Sequence, residues 1–326
     1  MDLRIKAIKK IEAEIVFRDL ATINYIVGKN GSGKSSLLNA LMVLKGKSLR
    51  EGCFYVEKDS FVSMENNSEV ICKAMVNSNG REVELVIGDK DEINIYANKT
   101  SFTEDSTYEN SEDETNIPPG DVFIDMMTPS IFLGGENEKV ETLVKKYFPD
   151  FDIYEKKDGD SKYGKKKALT ELNGKEIKPR ELATGIKKVI NTENFLDWID
   201  VDLERQKNGP KKVGPLLNVF IFDEIENTLH PSLAKKLVST IQSSVKKLKD
   251  KFSEDIFIVF IITHSPFVVS SVLSNLDQKI YLIDDGKFKN IIMDPRSKRL
   301  VFKDTLEEES LGFSGPESVF IASSML

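Results

Sequence analysis

The sequence predicts an α/β fold, in which buried strands alternate with helices around a central sheet. Three apolar runs, at residues 23–27, 219–222 and 256–263, have the length and composition of buried strands. Residues 35–42 follow the first run with the helical spacing of apolar side chains. At 326 residues, the chain is long enough for one large α/β domain or two small ones with an ample core.

Charge and composition argue against several classes of protein. The net charge of −7 and a pI near 5.3 are unlike those of a protein that coats nucleic acid indiscriminately. Scattered lysine pairs, such as 187–188 and 235–236, are interpreted as solvated faces. The longest apolar run, 256–262, is far too short to cross a bilayer, so we expect a cytoplasmic protein without membrane contact. Cys53 and Cys72 lack metal-ligand spacing and are expected to be buried, reduced thiols.

A complete phosphate-binding motif lies between the first predicted strand and the first helix. Residues 28–36 read Gly-Lys-Asn-Gly-Ser-Gly-Lys-Ser-Ser and fit the form G-x-x-x-x-G-K-[ST]. A glycine-rich turn can match this form by chance, but the flanking strand and helix are the context that the motif requires. We therefore predict that the following residues bind a nucleotide: Gly28, Lys29, Asn30, Gly31, Ser32, Gly33, Lys34, Ser35 and Ser36.

The residue types of this loop have separable roles. Glycines allow the backbone angles that turn successive N–H groups toward one anion, and the helix that begins near Gly33 adds its positive dipole end. The Lys34 side chain reaches the β- and γ-phosphates, and the Ser35 hydroxyl is placed to bind Mg²⁺. The predicted ligands are therefore ATP and Mg²⁺.

The pattern along the chain changes several times. The first fifty residues predict two strands, the phosphate loop and a helix. Alternating apolar and polar segments separated by hairpin-forming turns then predict an antiparallel meander at about 51–100, inserted into the α/β core. The segments are 69–76, 82–87 and 92–96.

Polar, glycine-containing and proline-containing segments divide the second half of the chain into predicted elements. We expect an acidic surface loop at 101–121, a short helix at about 138–147, a hairpin over 156–174 and a long helix at about 184–205. A Gly/Pro linker at 209–215 precedes a strand–helix–strand–helix series.

The second apolar strand ends in two acids, Asp223 and Glu224. An acid at the carboxyl end of a central strand can hold Mg²⁺ near Ser35, and this is the role predicted for Asp223. Glu224 is then placed to polarise an attacking water as a general base. An ordinary acidic turn has the same pattern, and the phosphate loop in the same chain favours the catalytic interpretation.

The two histidines of the chain both follow informative segments. His264 ends the third apolar strand, which we expect beside the strand of Asp223, so that its imidazole comes close to the terminal phosphate. We predict a catalytic or sensor role for His264. For His230, a structural role and a functional role are equally supported.

These motifs together resemble a known family. Residues 28–36, 223–231 (Asp-Glu-Ile-Glu-Asn-Thr-Leu-His-Pro) and 263–266 (Thr-His-Ser-Pro) look like those of the ABC-type ATPases of the OLD (overcoming lysogenization defect) family and its AAA-labelled relatives, kin to the SMC and RecF heads. The resemblance covers nearly the whole chain. It implies a single P-loop ATPase head over 1–326, with a mixed central sheet, the β-meander subdomain and a helical signature subdomain at about 136–206.

The resemblance implies one more element, a signature helix ahead of the Asp223 strand. Residues 181–188 read Glu-Leu-Ala-Thr-Gly-Ile-Lys-Lys and match the OLD-like variant, with Thr184 and Gly185 in place of the transporter-type Ser-Gly-Gly. In such proteins this helix start binds the γ-phosphate held by a second copy, which implies a homodimer or higher oligomer with ATP sandwiched between subunits. Taken alone, Thr184 is explained as a helix N-cap.

Two features depart from the family pattern. Residues 121–130 occupy the place of the Q-loop and contain no glutamine. OLD nucleases continue into a Toprim domain after a segment that resembles residues 309–318, whereas this chain stops soon afterwards. We therefore expect an ATPase that lacks the Toprim domain and has no nuclease activity of its own.

Three functions are compatible with the resemblance. The leading hypothesis is an ATP-driven switch of a prokaryotic antiphage defence system, which gates a separate effector protein such as a nuclease or toxin. The alternative is a DNA repair or recombination ATPase of RecF/SMC type, with DNA as its partner. A transporter nucleotide-binding subunit is the weakest, because residues 229–231 and the Thr184 and Gly185 pair are not of the transporter form.

Overall fold

A computed structural model of the chain describes residues 1–8, 14–28, 32–44, 56–76, 83–87, 93–99, 151–156, 166–171, 176–177, 184–209, 214–227, 229–265, 268, 277–284, 287–293, 299–302 and 310–314. The strands of this part of the chain are β1 (Asp2–Ile8), β2 (Ile15–Phe17), β3 (Ile23–Gly28), β4 (Val56–Asn66), β5 (Glu69–Val76), β6 (Val83–Ile87), β7 (Ile93–Lys99), β8 (Phe151–Lys156), β9 (Lys166–Glu171), β10 (Glu176–Ile177), β11 (Leu217–Asp223), β12 (Ile256–Thr263), β13 (Gln278–Asp284), β14 (Lys287–Met293), β15 (Arg299–Phe302) and β16 (Ser310–Ser314). Its helices are α1 (Lys34–Val43), α2 (Thr184–Asn208) and α3 (Pro231–Lys251).

The central sheet has eight strands in the order β16-β15-β14-β13-β3-β12-β11-β7. Its middle is parallel, since β7, β11, β12, β3 and β13 run in one direction, and β14, β15 and β16 extend it as antiparallel strands. Parallel strands that are covered on both faces read as continuous apolar runs. Every residue of β3 and β11 is buried, which explains why the sequence marks these strands so clearly.

Helices and a second sheet cover the two faces of the central sheet. Successive side chains of β11 point to opposite faces, so Val219 and Ile221 lie in one core cluster and Phe220 and Phe222 in the other. The first cluster includes side chains of α1, β1, β4 and β5, and the second includes those of α2 and α3. Helix α3 is amphipathic, and its buried residues recur at helical spacing: Ala234, Leu237, Val238, Ile241, Val245 and Leu248.

The second sheet is antiparallel throughout, in the order β2-β1-β4-β5-β6. Leu3 and Ile5 of β1 and Val62 of β4 are fully buried beneath it. Cys72 of β5 is also fully buried and unpaired, and burial raises the pKa of its thiol to about 12. This confirms the buried, reduced thiol that was predicted for Cys72, whereas Cys53 lies outside the described residues.

The predicted meander is wrong in its last strand. Strands β5 and β6 pair antiparallel as expected and β4, which was not predicted, pairs antiparallel with β5, but β7 leaves this sheet and pairs in parallel with β11. The reason is burial on both faces: Ile93, Ile95 and Ala97 contribute to one core cluster, and Tyr96 contributes to the other. A strand of a meander that is buried on one face has apolar side chains on that face alone. Strand β7 has apolar side chains on both faces, so it fits the central sheet, which is covered on both sides.

The other predicted elements are present or longer than expected. Strands β8 and β9 pair antiparallel, which confirms a hairpin, but its first strand precedes the predicted range of 156–174. The predicted long helix is α2, and three strands rather than two precede the phosphate loop. Beyond β12, only position 268 of the predicted last helix is described, and the sequence did not predict that β13 to β16 would complete the central sheet. Among the described residues, no helix is long and apolar enough to cross a membrane.

Three predicted segments lie outside the described residues. They are the acidic loop at 101–121, the Q-loop region at 121–130 and the short helix at about 138–147.

A buried polar network joins β7 to β11 and to α2. Asn94 Nδ2 donates hydrogen bonds to Asn218 Oδ1 and to Gln206 Oε1, each at 3.0 Å. Gln206 Nε2 and the Tyr96 hydroxyl both donate to Asp202 Oδ2, at 2.8 and 2.9 Å. The C-terminal half of α2 is thereby fixed to the edge of the central sheet.

We predict that Asn94 and Asn218 are energetically coupled. Asn94→Ala, Asn218→Ala and the double variant, compared by urea unfolding, should give a coupling free energy of about 1 kcal/mol, because each single change leaves a buried amide without this partner. Asn94→Ala combined with Ser63→Ala, a buried change in the other sheet, is the additive control. Additive effects at Asn94 and Asn218 would instead place β7 away from β11.

Candidate phosphate-binding and hydrolytic site

The carboxyl ends of β3, β12 and β11 lie side by side at one edge of the central sheet. Val27 of β3 is the register partner of Thr263 of β12, and Asp223 of β11 is the register partner of Ile262 of β12. Strand β12 therefore stands between the strand of the phosphate loop and the strand of the two acids. The three predicted motifs meet at this edge, as the sequence predicted.

The described part of the phosphate loop requires glycine at two positions. A Cβ atom on Gly28 would lie 2.5 Å from the carbonyl oxygen of Ile283 and 2.6 Å from Ser32 Oγ. Gly33 has a φ of 113°, which only glycine adopts without strain. Helix α1 begins immediately, since the Ser36 N–H donates to Gly33 O at 2.9 Å. The chain thus passes directly from the loop into a helix N-terminus, the arrangement that binds phosphate.

Several predicted site residues cannot be placed in full. Lys29, Asn30 and Gly31 lie outside the described residues, as do the side chains of Ser35 and Thr184. The roles assigned to these five residues therefore stay predictions.

Lys34 is held inside the loop. Its side chain is buried, and its Nζ donates to Gly28 O at 2.7 Å. Burial lowers the pKa of Lys34, and the charges of Glu224, Asp223 and Glu226 oppose that shift. The lysine of the phosphate loop therefore lies within the electrostatic reach of these three acids, which we call the carboxylate cluster.

Glu224 occupies a constrained turn directly after β11. Its φ of 49° is in the left-handed region, which a non-glycine residue adopts only when its surroundings hold it there. The Glu224 N–H donates to Ile262 O at 2.9 Å, and Asn227 Nδ2 donates to Glu224 Oε2 at 2.6 Å. The preceding residue, Asp223, is buried at the strand end. Main-chain and side-chain contacts thus fix the direction of the predicted base.

Glu226 ties the acidic turn to the end of β12. Its Oε1 accepts hydrogen bonds from Thr263 Oγ1 at 2.6 Å and from the His264 N–H at 3.1 Å. Its Oε2 is buried and has no hydrogen-bond partner within the described ranges. The spacing of three acids within four residues was the sequence signal for Glu226, but only the fold shows that it orients the segment of His264.

The two histidines have different surroundings. His264 Nδ1 lies 3.7 Å from Glu224 Oε1 and 3.6 Å from Glu226 Oε1, and 42% of its side chain is exposed. The expected pairing of the His264 strand with the Asp223 strand is confirmed, whereas the placement of the imidazole near a terminal phosphate and its chemical role stay predictions. His230 is the N-cap of α3, where its Nδ1 accepts a hydrogen bond from the Ser232 N–H at 3.4 Å. This geometry gives His230 a structural role.

Lys188 belongs to this site although it was expected to be solvated. It is 1% exposed and reaches from α2 to the turn after β11, where its Nζ donates to Glu224 O and, at 3.4 Å, to Asn227 O. Burial lowers the pKa of Lys188 to about 8, and the carboxylate cluster opposes that shift. The lysine pair 235–236, by contrast, is exposed as expected.

A helical pattern is the signal that could have found Lys188. Thr192, Phe195 and Ile199 follow it at spacings of four, seven and eleven residues and are all buried, so Lys188 extends the apolar stripe of α2. The adjacent Lys187 makes Lys188 look like part of a solvated pair, although Lys188 belongs to the buried face of the helix.

The donor set at the strand ends fits Mg²⁺ shared with a phosphate ligand. Asp223 supplies a carboxylate and Ser35 lies in the first turn of α1. Within the described ranges, no group of three or more His, Cys, Asp or Glu side chains could hold a metal by itself. Mg²⁺ is commonly bound by one or two protein oxygens together with substrate phosphates and water, so this sparse donor set is suitable.

Several solved structures are similar to this chain, whereas no family model and no curated protein matches it. The SMC head domain from Thermotoga maritima is 13% identical over 90% of this chain and 98% of that chain, with a TM-score of 0.46. The Smc head domain with an extended coiled coil from Pyrococcus furiosus, bound to the C-terminal domain of ScpA, is 14% identical over 89% and 94%, with a TM-score of 0.48. The recombination mediator protein RecF is 13% identical over 89% and 97%, with a TM-score of 0.43.

The architecture is the predicted α/β fold with a mixed central sheet. A mixed central sheet carries the phosphate loop after β3, helices α2 and α3 cover one face, and α1 and the antiparallel sheet cover the other.

Proposed function

We propose that this protein binds ATP and hydrolyses it as an ABC-type molecular switch in the cytoplasm. The observation that carries the proposal is the convergence of Lys34, Asp223 and Glu224 at the edge of the sheet where β3 and β11 end on either side of β12, with both carboxylates acting on the lysine charge. Nucleotide hydrolysis needs a cation beside a helix N-terminus for the phosphates and an acid that orients water. Both groups lie at this edge of the sheet.

In the proposed bound state, the phosphates of ATP lie across the phosphate loop. Backbone N–H groups at the start of α1 donate to phosphate oxygens, and Lys34 exchanges its hydrogen bond with the Gly28 carbonyl for one with the terminal phosphates. Ser35 and Asp223 hold Mg²⁺. When bound, Mg²⁺ supplies charge neutralisation at the β- and γ-phosphate oxygens.

Glu224 is the proposed general base. It accepts a proton from water as the water oxygen bonds to the γ-phosphorus, while the bond from that phosphorus to the bridging oxygen breaks and ADP leaves. The hydrogen bond from Asn227 to Glu224 Oε2 restricts the carboxylate, whose Oε1 faces His264. We propose that His264 senses the γ-phosphate through its exposed imidazole.

Glu224→Gln is expected to bind ATP with Mg²⁺ but to hydrolyse it at least about a hundredfold more slowly, because the amide cannot take the proton. Lys34→Ala should instead lose tight ATP binding, since it removes the cation that reaches the phosphates. Calorimetry and phosphate release measure the two effects. Glu204→Gln, an exposed change on α2, is the control and should retain wild-type binding and turnover.

Two outcomes would contradict this assignment. Unchanged ATP affinity in Lys34→Ala would show that the loop does not hold the phosphates. Near-normal hydrolysis by Glu224→Gln would remove Glu224 as the base and make Glu226 the next candidate.

We also propose that ATP joins two copies of the chain through the start of α2. Gly185 lies in the first turn of this helix, which carries no acidic side chain, so the positive dipole end is available to an anion. The resemblance of residues 181–188 to a signature motif supports a phosphate of the second copy as that anion.

Gly185→Glu should block this ATP-linked dimer while leaving nucleotide binding by the monomer intact. A carboxylate at the helix start would face the γ-phosphate and repel it. Sedimentation of Glu224→Gln with ATP, with and without Gly185→Glu, measures the effect, because slow hydrolysis lets the dimer accumulate. Asn208→Glu, which adds the same charge at the exposed other end of α2, is the matched control. Equal dimerisation with and without Gly185→Glu would mean that Thr184 and Gly185 serve only to begin the helix.

For the biological role, we propose that the ATP cycle gates a separate effector protein, such as a nuclease or toxin, in antiphage defence. The support is the resemblance of residues 28–36, 223–231 and 263–266 to the OLD family. The RecF/SMC-type alternative uses the same ATP cycle but acts on DNA directly.

Duplex DNA should therefore leave the ATPase rate of the isolated chain unchanged. Phosphate release is measured with and without long duplex DNA across a range of salt concentrations, because binding through backbone phosphates weakens steeply with salt. Salt-sensitive stimulation by DNA would overturn the effector proposal and favour the repair alternative.

A further inference from the structure

Lys188 is a buried cation whose contacts are with the backbone of the catalytic turn. Its ammonium donates to the carbonyl oxygens of Glu224 and Asn227, and the residue is 1% exposed. A buried lysine is unfavourable unless its donors are used and its charge is balanced. Here the two carbonyls use donors, and the nearby acids Glu226, Glu224 and Asp223 balance the charge.

The contact with Glu224 matters because of the conformation of that residue. A positive φ at a non-glycine residue is unfavourable by about 1–3 kcal/mol and persists only when the neighbourhood fixes it. The Glu224 N–H is held by Ile262 O, and its carbonyl accepts from Lys188 and, at 3.1 Å, from the Asn227 N–H. Lys188 thus holds this carbonyl from outside the turn, whereas Asn227 holds it from within the turn.

Lys188 also connects the base to the start of α2. It lies three residues after Gly185, which is nearly one helical turn, and it extends the buried stripe of the same helix. The far half of α2 is fixed to the sheet through Asp202 and Gln206. Because Lys188 joins the N-terminal part of α2 to the Glu224 carbonyl, a shift of the first turn of the helix would move that carbonyl as well.

We propose that Lys188 is a positioning residue that sets the direction of the Glu224 carboxylate and links it to the first turn of α2. The inference rests on the proposed ATPase function. Lys188 does not touch the reacting atoms, and it acts by holding the backbone from which the base projects. Its removal therefore affects the rate of hydrolysis and spares the affinity for nucleotide, which depends on the phosphate loop.

Lys188→Met keeps the length of the side chain and removes its donors. In single-turnover hydrolysis with saturating ATP and Mg²⁺, we expect a rate about 30-fold to 100-fold lower, the size of effect produced when a catalytic group is displaced by about 1 Å. ATP affinity, measured by calorimetry, should stay within about threefold of wild type, since the loop is unchanged. Lys188→Gln retains a shorter donor and should have an intermediate rate.

Lys207→Met is the matched control. Lys207 lies on the same helix, roughly 28 Å further along its axis, and pairs with buried Asp255 at 2.6 Å. Removing it should lower stability in urea unfolding, as Lys188→Met does, without changing the rate of hydrolysis by the folded protein. This comparison separates positioning of the base from a general loss of stability.

The decisive test combines Lys188→Met with Glu224→Gln. If Lys188 acts through Glu224, the double variant should hydrolyse ATP no more slowly than Glu224→Gln alone, because the residue being positioned is already disabled. Additive losses, or wild-type hydrolysis by Lys188→Met, would overturn the proposal. If Lys188→Met does not fold, the same cycle with Lys188→Gln decides it. Absence of ATP hydrolysis in the wild-type protein would instead contradict the proposed function itself.

Discussion

The site depends on the balance of charge between two buried lysines and three carboxylates at one edge of the central sheet. Burial lowers the pKa of Lys34 and of Lys188, and Asp223, Glu224 and Glu226 oppose both shifts. The lysines and the carboxylates stabilise each other here, since buried ammonium groups need anions and clustered carboxylates repel one another. Two lysines and three carboxylates brought together at one edge of the sheet therefore offset most of one another's charge.

The order of the strands makes this balance possible. Strand β12 separates β3 from β11, so the ends of the phosphate-loop strand and the acidic strand are about 10 Å apart, two strand spacings in a sheet. At the end of β12, the Thr263 hydroxyl donates a hydrogen bond to Glu226 Oε1 and so fixes the turn that follows β11.

Helix α2 is attached to the site near its N-terminus and to the central sheet near its C-terminus. The helix begins at Thr184 and holds the Glu224 backbone through Lys188, about one turn later, and its C-terminal half is bound to β7 through Asp202 and Gln206. Strand β7 is therefore part of the site's support, because it anchors the helix that contacts the base. Strand β7 and Lys188 are therefore connected to each other through α2.

The amino-acid sequence predicts the strands β3, β11 and β12, the phosphate loop, and the candidate roles of Asp223, Glu224 and His264. These features follow from short-range patterns, since fully buried strands are continuous apolar runs and the motif residues are adjacent in the chain. The folded structure was needed to show that β7 joins β11, that His230 caps a helix, and that Lys188 is buried against Glu224. The physical reason is that local periodicity reports which residues need cover, whereas the element that provides the cover comes from a distant part of the chain.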